Sequence, residues 1–301
     1  MNKGMCCGTT PVQNRRSKKD AYMDFTMKCI NDIIVVVRGG GDLATGVVQK
    51  FFRAGFKVVV LEIENPLAIR RTVSLCTAVY TKRYKVEEMT ACLVNSYFDC
   101  EEVWQQGEIP VLIDKDAKVI EDLKPDILID AIIAKRNLGT YKEMAPITIA
   151  LGPGFEAGVD IDVVVETKRG HDLGKLYFEG MAIANTREPG ELGGISHDRV
   201  IYSPGEGYIR HVKDIGHIVT KGETICLLDE HPIISEIDGV VRGLISEGQF
   251  IEKGIKCADI DPRSFGDFNC YTISDKARAV GGAALEGALV LLNERSITND
   301  F

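Results

Sequence analysis

The sequence predicts an α/β protein in which a Rossmann-like, doubly wound parallel sheet is joined to a small all-β module and a C-terminal helix. β-branched runs typical of buried parallel strands alternate with helical patterns over residues 32–152. A pattern of glycines and apolar residues repeats at an offset of 32 residues beyond residue 196. Residues 275–293 carry an apolar stripe at helical spacing, which predicts a helix that returns to the first domain.

The first β–α–β unit contains a glycine-rich turn. A β-branched run at 33–38 leads into G-G-G-D-L-A-T-G at 39–46. An apolar helical face follows at 47–54, and a second buried strand is expected at 57–62. The alternation then continues with a helix around 100–106 and strands at 109–113, 125–131 and 147–151.

The composition of this turn favours a phosphate ligand. Gly39 permits a tight bend, and Gly41, after Gly40, lets a backbone approach a phosphate without contact to a Cβ atom. Ala44 allows the helix to pack closely on the strand. A bound nucleotide or a similar phosphate compound is therefore expected at the helix N-terminus.

An acidic residue supports this interpretation, and another opposes it. Glu62 lies 23 positions after Gly39, where dinucleotide-binding folds hold a ribose hydroxyl. Asp42 could instead cap the helix and repel a pyrophosphate. A turn that serves packing alone stays an alternative.

Carboxylates and a histidine are concentrated between residues 160 and 171. On a strand at 160–166, Asp160, Asp162 and Glu166 would share one face, and His171 follows a glycine turn. Such a set suits a hard divalent cation or proton transfer, although no helical ligand spacing supports a metal. A solvated strand face is the plain alternative, and Arg169 would favour an anion instead.

The repeat beyond residue 196 predicts a duplicated β unit. Gly207 and Arg210 match Gly239 and Arg242, and short strands broken by glycine turns favour a pseudo-twofold sandwich. The pattern resembles the barrel-sandwich hybrid of biotinyl and lipoyl domains. No lysine occurs in the connection 228–239, so attached biotin or lipoate is not expected. We interpret the module as a docking or lid element.

These patterns divide the chain into four parts. The predicted organisation is a disordered leader at 1–31, a Rossmann-like domain with a glycine-rich extension at 32–195, the duplicated β module at 196–265, and a C-terminal helix at 266–301 that packs on the first domain.

Composition excludes several classes of protein. A net charge of −8 over 301 residues argues against a nucleic-acid partner, because that binding depends on clustered Lys and Arg. The longest aliphatic run, 33–37, is too short for a membrane helix, so no membrane partner is expected. The nine cysteines include no C-x-x-C pair and the leader has no apolar signal core, which predicts a cytoplasmic protein.

Five segments carry a resemblance to a known family. They are V-V-V-R-G-G-G-D-L-A-T-G-V from residue 35, P-L-A-I-R-R-T-V-S-L-C-T-A-V from 66, D-A-I-I-A-K-R-N from 130, E-T-K-R-G-H-D-L-G from 166 and N-T-R-E-P-G from 185. Over residues 32–292 the chain resembles the YqeB-type accessory proteins of selenium-dependent molybdenum hydroxylase systems. The resemblance implies a maturation factor whose Rossmann part is related to XdhC-type chaperones, which bind the molybdenum cofactor and help deliver it to hydroxylases such as xanthine dehydrogenase.

Resemblance and residues together predict a cofactor site at the C-terminal edge of the sheet. The glycine turn would hold the phosphate of molybdopterin or its dinucleotide form, and Glu62 would face a ribose or pterin edge. The predicted cofactor-binding residues are Gly39, Gly40, Gly41, Asp42, Ala44, Glu62, Arg70, Arg71, Ser74, Asp130 and Lys135. Glu166 and His171 are the candidates for proton transfer during ligand exchange, since a carboxylate can orient a histidine for that role. No metal-binding residue is predicted.

Two other classes stay open. An NAD(P)-dependent oxidoreductase would use the same glycine turn, with Glu62 favouring NAD, although no convincing Tyr-x-x-x-Lys pattern occurs. A non-catalytic docking protein would keep an empty Rossmann fold and bind through the β module. The expected partners are a molybdenum hydroxylase apoprotein or cofactor-maturation proteins. A homo-oligomer stays open, and so does enzymatic activity.

Overall fold

The computed structural model describes residues 28–185, 194, 197–263, 267 and 269–297. Most of the predicted leader, and most of the N-T-R-E-P-G segment, lie outside the described residues. Within the described ranges, no helix is long and apolar enough to cross a membrane.

A large, mostly parallel sheet forms the first domain. Its first seven strands are β1 (Ile34–Arg38), β2 (Lys57–Glu62), β3 (Arg83–Val86), β4 (Met89–Leu93), β5 (Ile109–Ile113), β6 (Ile127–Asp130) and β7 (Ile147–Leu151). The next four strands are β8 (Glu156–Ala157), β9 (Val163–Val165), β10 (Leu176–Tyr177) and β11 (Gly180–Met181). β9 and β10 complete the nine-stranded sheet, whereas β8 and β11 pair as a short ribbon.

The strand order creates a switch point beside β1. The order is β10-β9-β7-β6-β1-β2-β5-β4-β3, with antiparallel strands β3 and β10 at the two edges. The chain passes from β1 to its neighbour β2, and later places β6 on the other side of β1. Open α/β sheets bind ligands beyond the carboxyl ends of the strands at such a point, and here the glycine turn leaves β1.

Helices cover both faces of the sheet. The α-helices are α1 (Asp42–Arg53), α2 (Ala78–Thr81), α3 (Cys100–Gln105), α4 (Ile120–Leu123) and α5 (Asp275–Ile297). Val35 and Val37 of β1 pack in the layer with α1 and α5, whereas Val36 packs in the opposite layer with α3 and α4. A strand buried on both faces is what the continuous β-branched run predicts. The expected mixed α/β architecture with a large parallel sheet is therefore confirmed.

Helices α1 and α5 approach each other at two glycines. A Cβ atom on Gly281 would lie 2.3 Å from the carbonyl oxygen of Gly46, and one on Gly46 would lie 2.3 Å from that of Ala277. The backbones can therefore come this close only where side chains are absent. A Cβ atom on Gly282, the next residue along α5, would meet no neighbouring atom within 4 Å.

The β module contains two four-stranded antiparallel sheets. Its strands are β12 (Val200–Tyr202), β13 (Gly207–His211), β14 (Ile218–Val219), β15 (Thr224–Leu228), β16 (His231–Ile234), β17 (Gly239–Leu244), β18 (Phe250–Ile251) and β19 (Lys256–Asp261). The orders are β12-β19-β17-β14 and β16-β15-β13-β18.

The repeat in the sequence appears as an exchange of strands. β13, β14 and β15 begin 32 residues before β17, β18 and β19. The short strand of each half pairs with the other half, because β14 joins β17 and β18 joins β13. The two halves thus interlock and share one apolar core. The likeness to a barrel-sandwich hybrid stays a prediction.

The loop after β2 fixes the module to the first domain. The backbone N–H of Leu244 donates to the carbonyl oxygen of Ile69 at 2.7 Å, and Arg71 Nε donates to the carbonyl oxygen of Leu244 at 2.7 Å. Arg71 Nη2 also contacts Asp214 Oδ1 at 2.5 Å. Since this loop leaves the carboxyl end of β2, the module lies over the edge of the sheet where a ligand is expected.

Candidate functional site

A cleft of about 370 Å³ lies over the glycine turn. We call it the glycine cleft; its lining includes Gly39, Gly41, Asp42, Ala44 and Glu62. A Cβ atom on Gly41 would meet no atom within 4 Å, so the space in front of this residue is open. The size lies within the range of small-molecule sites. The close backbone approach expected at Gly41 is thus sterically available.

Packing within the protein requires glycine at the other two positions of the turn, Gly39 and Gly40. Gly39 has a φ of 95°, and a Cβ atom there would lie 3.1 Å from the carbonyl oxygen of Ala131. A Cβ atom on Gly40 would lie 2.9 Å from the backbone nitrogen of Cys76. The packing interpretation therefore accounts for Gly39 and Gly40, but it does not account for Gly41.

Glu62 connects β2 to the turn. Its Oε2 accepts a hydrogen bond from the N–H of Gly40 at 2.7 Å, and its Oε1 accepts one from the N–H of Ile63 at 2.8 Å. Burial raises the pKa of the Glu62 carboxyl, and the two backbone hydrogen bonds partly offset that rise. The carboxylate is held rigidly at the wall of the glycine cleft.

A larger cavity of about 670 Å³ lies between the carboxyl edge of the sheet and the β module. We call it the basic chamber. The first domain and α5 line it with Arg70, Lys135, Lys168, Arg169 and Lys276, and the module lines it with Arg199, Arg242 and Lys256. Among the described lining residues, these eight cations face three carboxylates, those of Asp42, Glu166 and Asp259. Such a charge balance suits an anion.

The two cavities are neighbours. Asp42, Leu43 and Ile133 line both of them, so the glycine cleft opens beside the basic chamber. A single ligand with a ring system and an anionic group could therefore occupy both.

Arg70 is the most deeply buried cation expected from the sequence to bind a ligand. The residue is 6% exposed, and its Nη1 lies 3.7 Å from Asp42 Oδ2. Neither Nε nor Nη1 has a hydrogen-bond partner among the described residues. Ser74, itself buried, donates from Oγ to the carbonyl oxygen of Arg70 at 2.8 Å, so it positions the loop and does not line either cavity.

Arg71 and Asp130 were also expected to bind the cofactor, but in the structure both side chains contact other groups of the protein. Arg71 holds the β module, as described above. Asp130 Oδ2 accepts a hydrogen bond from Thr140 Oγ1 at 2.5 Å and lies 3.8 Å from Nη1 of the buried Arg38. Burial raises the pKa of Asp130, while Thr140 and Arg38 lower it. Neither residue belongs to the described lining of the two cavities.

Glu166 and His171 are not brought together as a proton-transfer pair. Glu166 is buried in the chamber wall, where its carboxylate accepts hydrogen bonds from the N–H groups of Lys168 at 2.7 Å and Ile183 at 2.8 Å. His171 is exposed and lies outside the described chamber lining. The strand expected at 160–166 is only Val163–Val165, and Asp162 Oδ2 before it accepts hydrogen bonds from the N–H and Oγ1 of Thr148. The described residues contain no group of three metal-ligating side chains.

The charges around the chamber influence one another. Burial lowers the pKa of Arg242, and the nearby Arg70 lowers it further. Burial also lowers the pKa of Lys256 and Lys276, with further lowering from neighbouring arginines. Arg169 differs, because Asp275 binds it through two contacts of 2.8 and 2.9 Å and raises its pKa.

Five of the chamber cations were missed in the sequence. Arg199, Arg242 and Lys256 belong to the module, which the sequence suggested only as a docking or lid element. Lys168 follows β9, and Lys276 is the second residue of α5. The only signal was the repeat itself, in which Arg242 matches Arg210. Nothing in that pattern indicates that Arg242 faces the first domain.

Fold and cavities together define an α/β protein with a cleft at the switch point of a mostly parallel sheet and a cation-lined chamber beside it. In sequence the chain is 44% identical over 262 residues to the uncharacterized protein YqeB of Escherichia coli (strain K12). The match covers 87% of this chain and 48% of that protein, so the chain spans about half the length of its curated relative. The identity supports a YqeB-type relationship. No protein-family model matches the chain.

Solved structures show only a remote likeness. The product-bound ectoine utilization protein EutE (DoeB) from Ruegeria pomeroyi is 12% identical with a TM-score of 0.23, covering 76% of this chain and 85% of that one. An aspartoacylase family protein from Mesorhizobium loti is 6% identical with a TM-score of 0.23, covering 77% and 86%. At these TM-scores the likeness carries no inference about fold or function.

Proposed function

We propose that the chain is a cytoplasmic accessory factor of a selenium-dependent molybdenum hydroxylase system. In this proposal it binds the molybdenum cofactor and passes it to the hydroxylase apoprotein or to cofactor-maturation proteins. The observation that carries the proposal is the adjacency of the glycine cleft and the basic chamber. The cofactor combines a pterin ring system with phosphate, and the two cavities offer a site for each part.

The residues present fit such a group. Gly41 leaves open space for a ring or its linker, and Ala44 and Glu62 line the same cleft. Arg70 and Lys135 would hold the phosphate from the chamber side. The cofactor would supply the redox chemistry of the hydroxylase, whereas the residues of this chain bind and orient it.

Expression in a host that makes the molybdenum cofactor tests the proposal. Native mass spectrometry should detect a pterin-sized adduct on the full chain. Gly41→Asp should abolish it, because the new side chain fills the open space of the cleft that the ring or its linker would occupy. Gly282→Asp is the matched control, since a Cβ atom there also meets no atom within 4 Å.

The other outcomes overturn the proposal in distinct ways. An adduct that forms only when NAD is added would favour an oxidoreductase. No adduct in the wild-type chain would favour a docking protein that binds through the β module. An adduct retained in Gly41→Asp, with the variant folded, would exclude the glycine cleft as its site.

A further inference from the structure

In the basic chamber, two guanidinium nitrogens of Arg70 have no hydrogen-bond partner among the described residues. Its Nε and Nη1 are buried and make no hydrogen bond, although the carboxylate of Asp42 lies near. Buried polar groups in native proteins normally have a partner, and an orphaned one is costly. A group that enters the chamber would provide that partner.

The position of Arg70 is held from both domains. Ser74 Oγ binds its carbonyl oxygen from within the loop, and the next residue toward the N-terminus, Ile69, accepts a hydrogen bond from Leu244 of the module. These contacts fix the backbone from which the Arg70 side chain extends, so the loop needs no reordering when a ligand binds. The chamber wall is therefore preorganised at this residue.

Neighbouring cations add to the positive charge of the chamber. Arg242 meets Asp259 and Asp261 only at 3.7–3.8 Å, beyond ordinary hydrogen-bond length, and Lys256 meets Asp259 only at 3.9 Å. Burial lowers the pKa of both groups; repulsion from Arg70 adds to the lowering for Arg242, and repulsion from Arg199 and Arg242 adds to it for Lys256. A bound anion would relieve that repulsion.

We propose that the basic chamber is a binding site for an anion with two linked phosphoryl groups, gripped by Arg70 and Arg242. Asp42 is the resident counter-ion of Arg70, and the ligand replaces it. The surplus of cations and the volume of about 670 Å³ favour a diphosphate over a single phosphate. Arginine suits this ligand because its planar fork binds phosphoryl oxygens through two hydrogen bonds. In the proposed function Arg70 also holds the phosphate of the cofactor, so this inference concerns the same site and adds the two-phosphoryl class and the role of Arg242. It does not depend on the organic part of the ligand.

Calorimetric titration of the full chain with inorganic diphosphate tests the site. Wild type should bind it, and Arg70→Gln should weaken binding about tenfold or more, because a charged hydrogen-bond donor is lost. Asp42→Asn should tighten binding several-fold, because it removes the competing carboxylate. Arg210→Gln changes an exposed arginine outside the described chamber lining, so this variant should bind like wild type.

The test expects weaker binding for Arg70→Gln and tighter binding for Asp42→Asn. Misfolding cannot explain both results, since a damaged chamber would not gain affinity. No binding of diphosphate to wild type, or equal binding by Arg70→Gln, would overturn the site. Orthophosphate binding as tightly as diphosphate would overturn the two-phosphoryl class, and unchanged binding by Asp42→Asn would overturn the counter-ion role.

Two further comparisons identify the source of the anion and distinguish this proposal from the proposed cofactor function. Tighter binding of ADP than of inorganic diphosphate would support a nucleotide-borne diphosphate, and the reverse order would support the free anion. Diphosphate binding without a pterin adduct would support this site while overturning the proposed cofactor function. A pterin adduct without diphosphate binding would do the reverse.

Discussion

The Oε2 atom of Glu62 accepts a hydrogen bond from the backbone N–H of Gly40 at 2.7 Å. The contact links the end of β2 to the turn after β1, across two adjacent parallel strands. Ile63 holds the other carboxylate oxygen through its own N–H. A residue whose position in the sequence suggested ligand recognition therefore also shapes the glycine turn, so its substitution should affect folding as well as binding.

The half-buried Glu62 should make stability depend on pH in a defined direction. Because burial raises its pKa, the folded chain holds this proton more tightly than the unfolded chain. Its contribution to the free energy of unfolding therefore falls as the pH rises from its ordinary pKa through the raised one. Glu62→Gln removes that titration, so as the pH rises above the ordinary carboxyl pKa of about 4, thermal unfolding should show the variant gaining in Tm relative to wild type.

The exposed Glu64→Gln variant controls for the loss of one negative charge. A difference in Tm between wild type and Glu62→Gln that stays constant with pH, or grows in favour of wild type, would contradict the assigned role of burial.

The contact of α1 with α5 should tolerate no side chain at Gly281. Gly281→Ala should lower the free energy of unfolding by about 1–3 kcal/mol, as in other overpacked cores. Gly282→Ala should instead be neutral or stabilising by up to about 1 kcal/mol, because alanine is the better helix former and the space is open. Chemical denaturation of both variants checks this, and equal effects would show that the helices do not meet as described.

Arg71 should strengthen the attachment of the β module to the first domain. Arg71→Ala removes the contacts with Asp214 and with the carbonyl oxygen of Leu244. We expect faster amide hydrogen exchange in the loop 65–72 and weaker diphosphate binding, while the core of the module stays protected. Arg210→Ala, which removes only an exposed contact with Glu230, is the control. Exchange that is unchanged in Arg71→Ala would argue against this attachment.

Asp130 should contribute to stability through Arg38, which is 2% exposed. Asp130→Asn keeps an acceptor for Thr140 but leaves the guanidinium of Arg38 without its nearby negative charge. Removing one partner of a buried ion pair typically costs about 3–5 kcal/mol. Urea unfolding should show a loss of that order, whereas Asp116→Asn at an exposed pair should have little effect. A small loss for Asp130→Asn would mean that Arg38 finds another partner.

Local patterns in the sequence were enough to locate the elements of the first domain. β2, β5 and β7 have the bounds expected from their β-branched runs, and α5 begins at the expected Asp275. These patterns are informative because burial on both faces of a parallel strand demands apolar residues at every position. The turn at Gly39 was equally visible, since a positive φ and close backbone contacts restrict that position to glycine.

The sequence by itself therefore determined the α/β class, the glycine turn at the switch point and the 32-residue repeat, because each depends on neighbours along the chain. Only the tertiary structure decided which charged groups meet. It directed Arg71 to Asp214 and Asp130 to Thr140, separated His171 from the chamber, and brought Arg242 and Lys256 toward Arg70. The docking of the module joins Arg71 to Asp214 and to Leu244 across 143 and 173 residues of chain, and no local periodicity encodes such a contact.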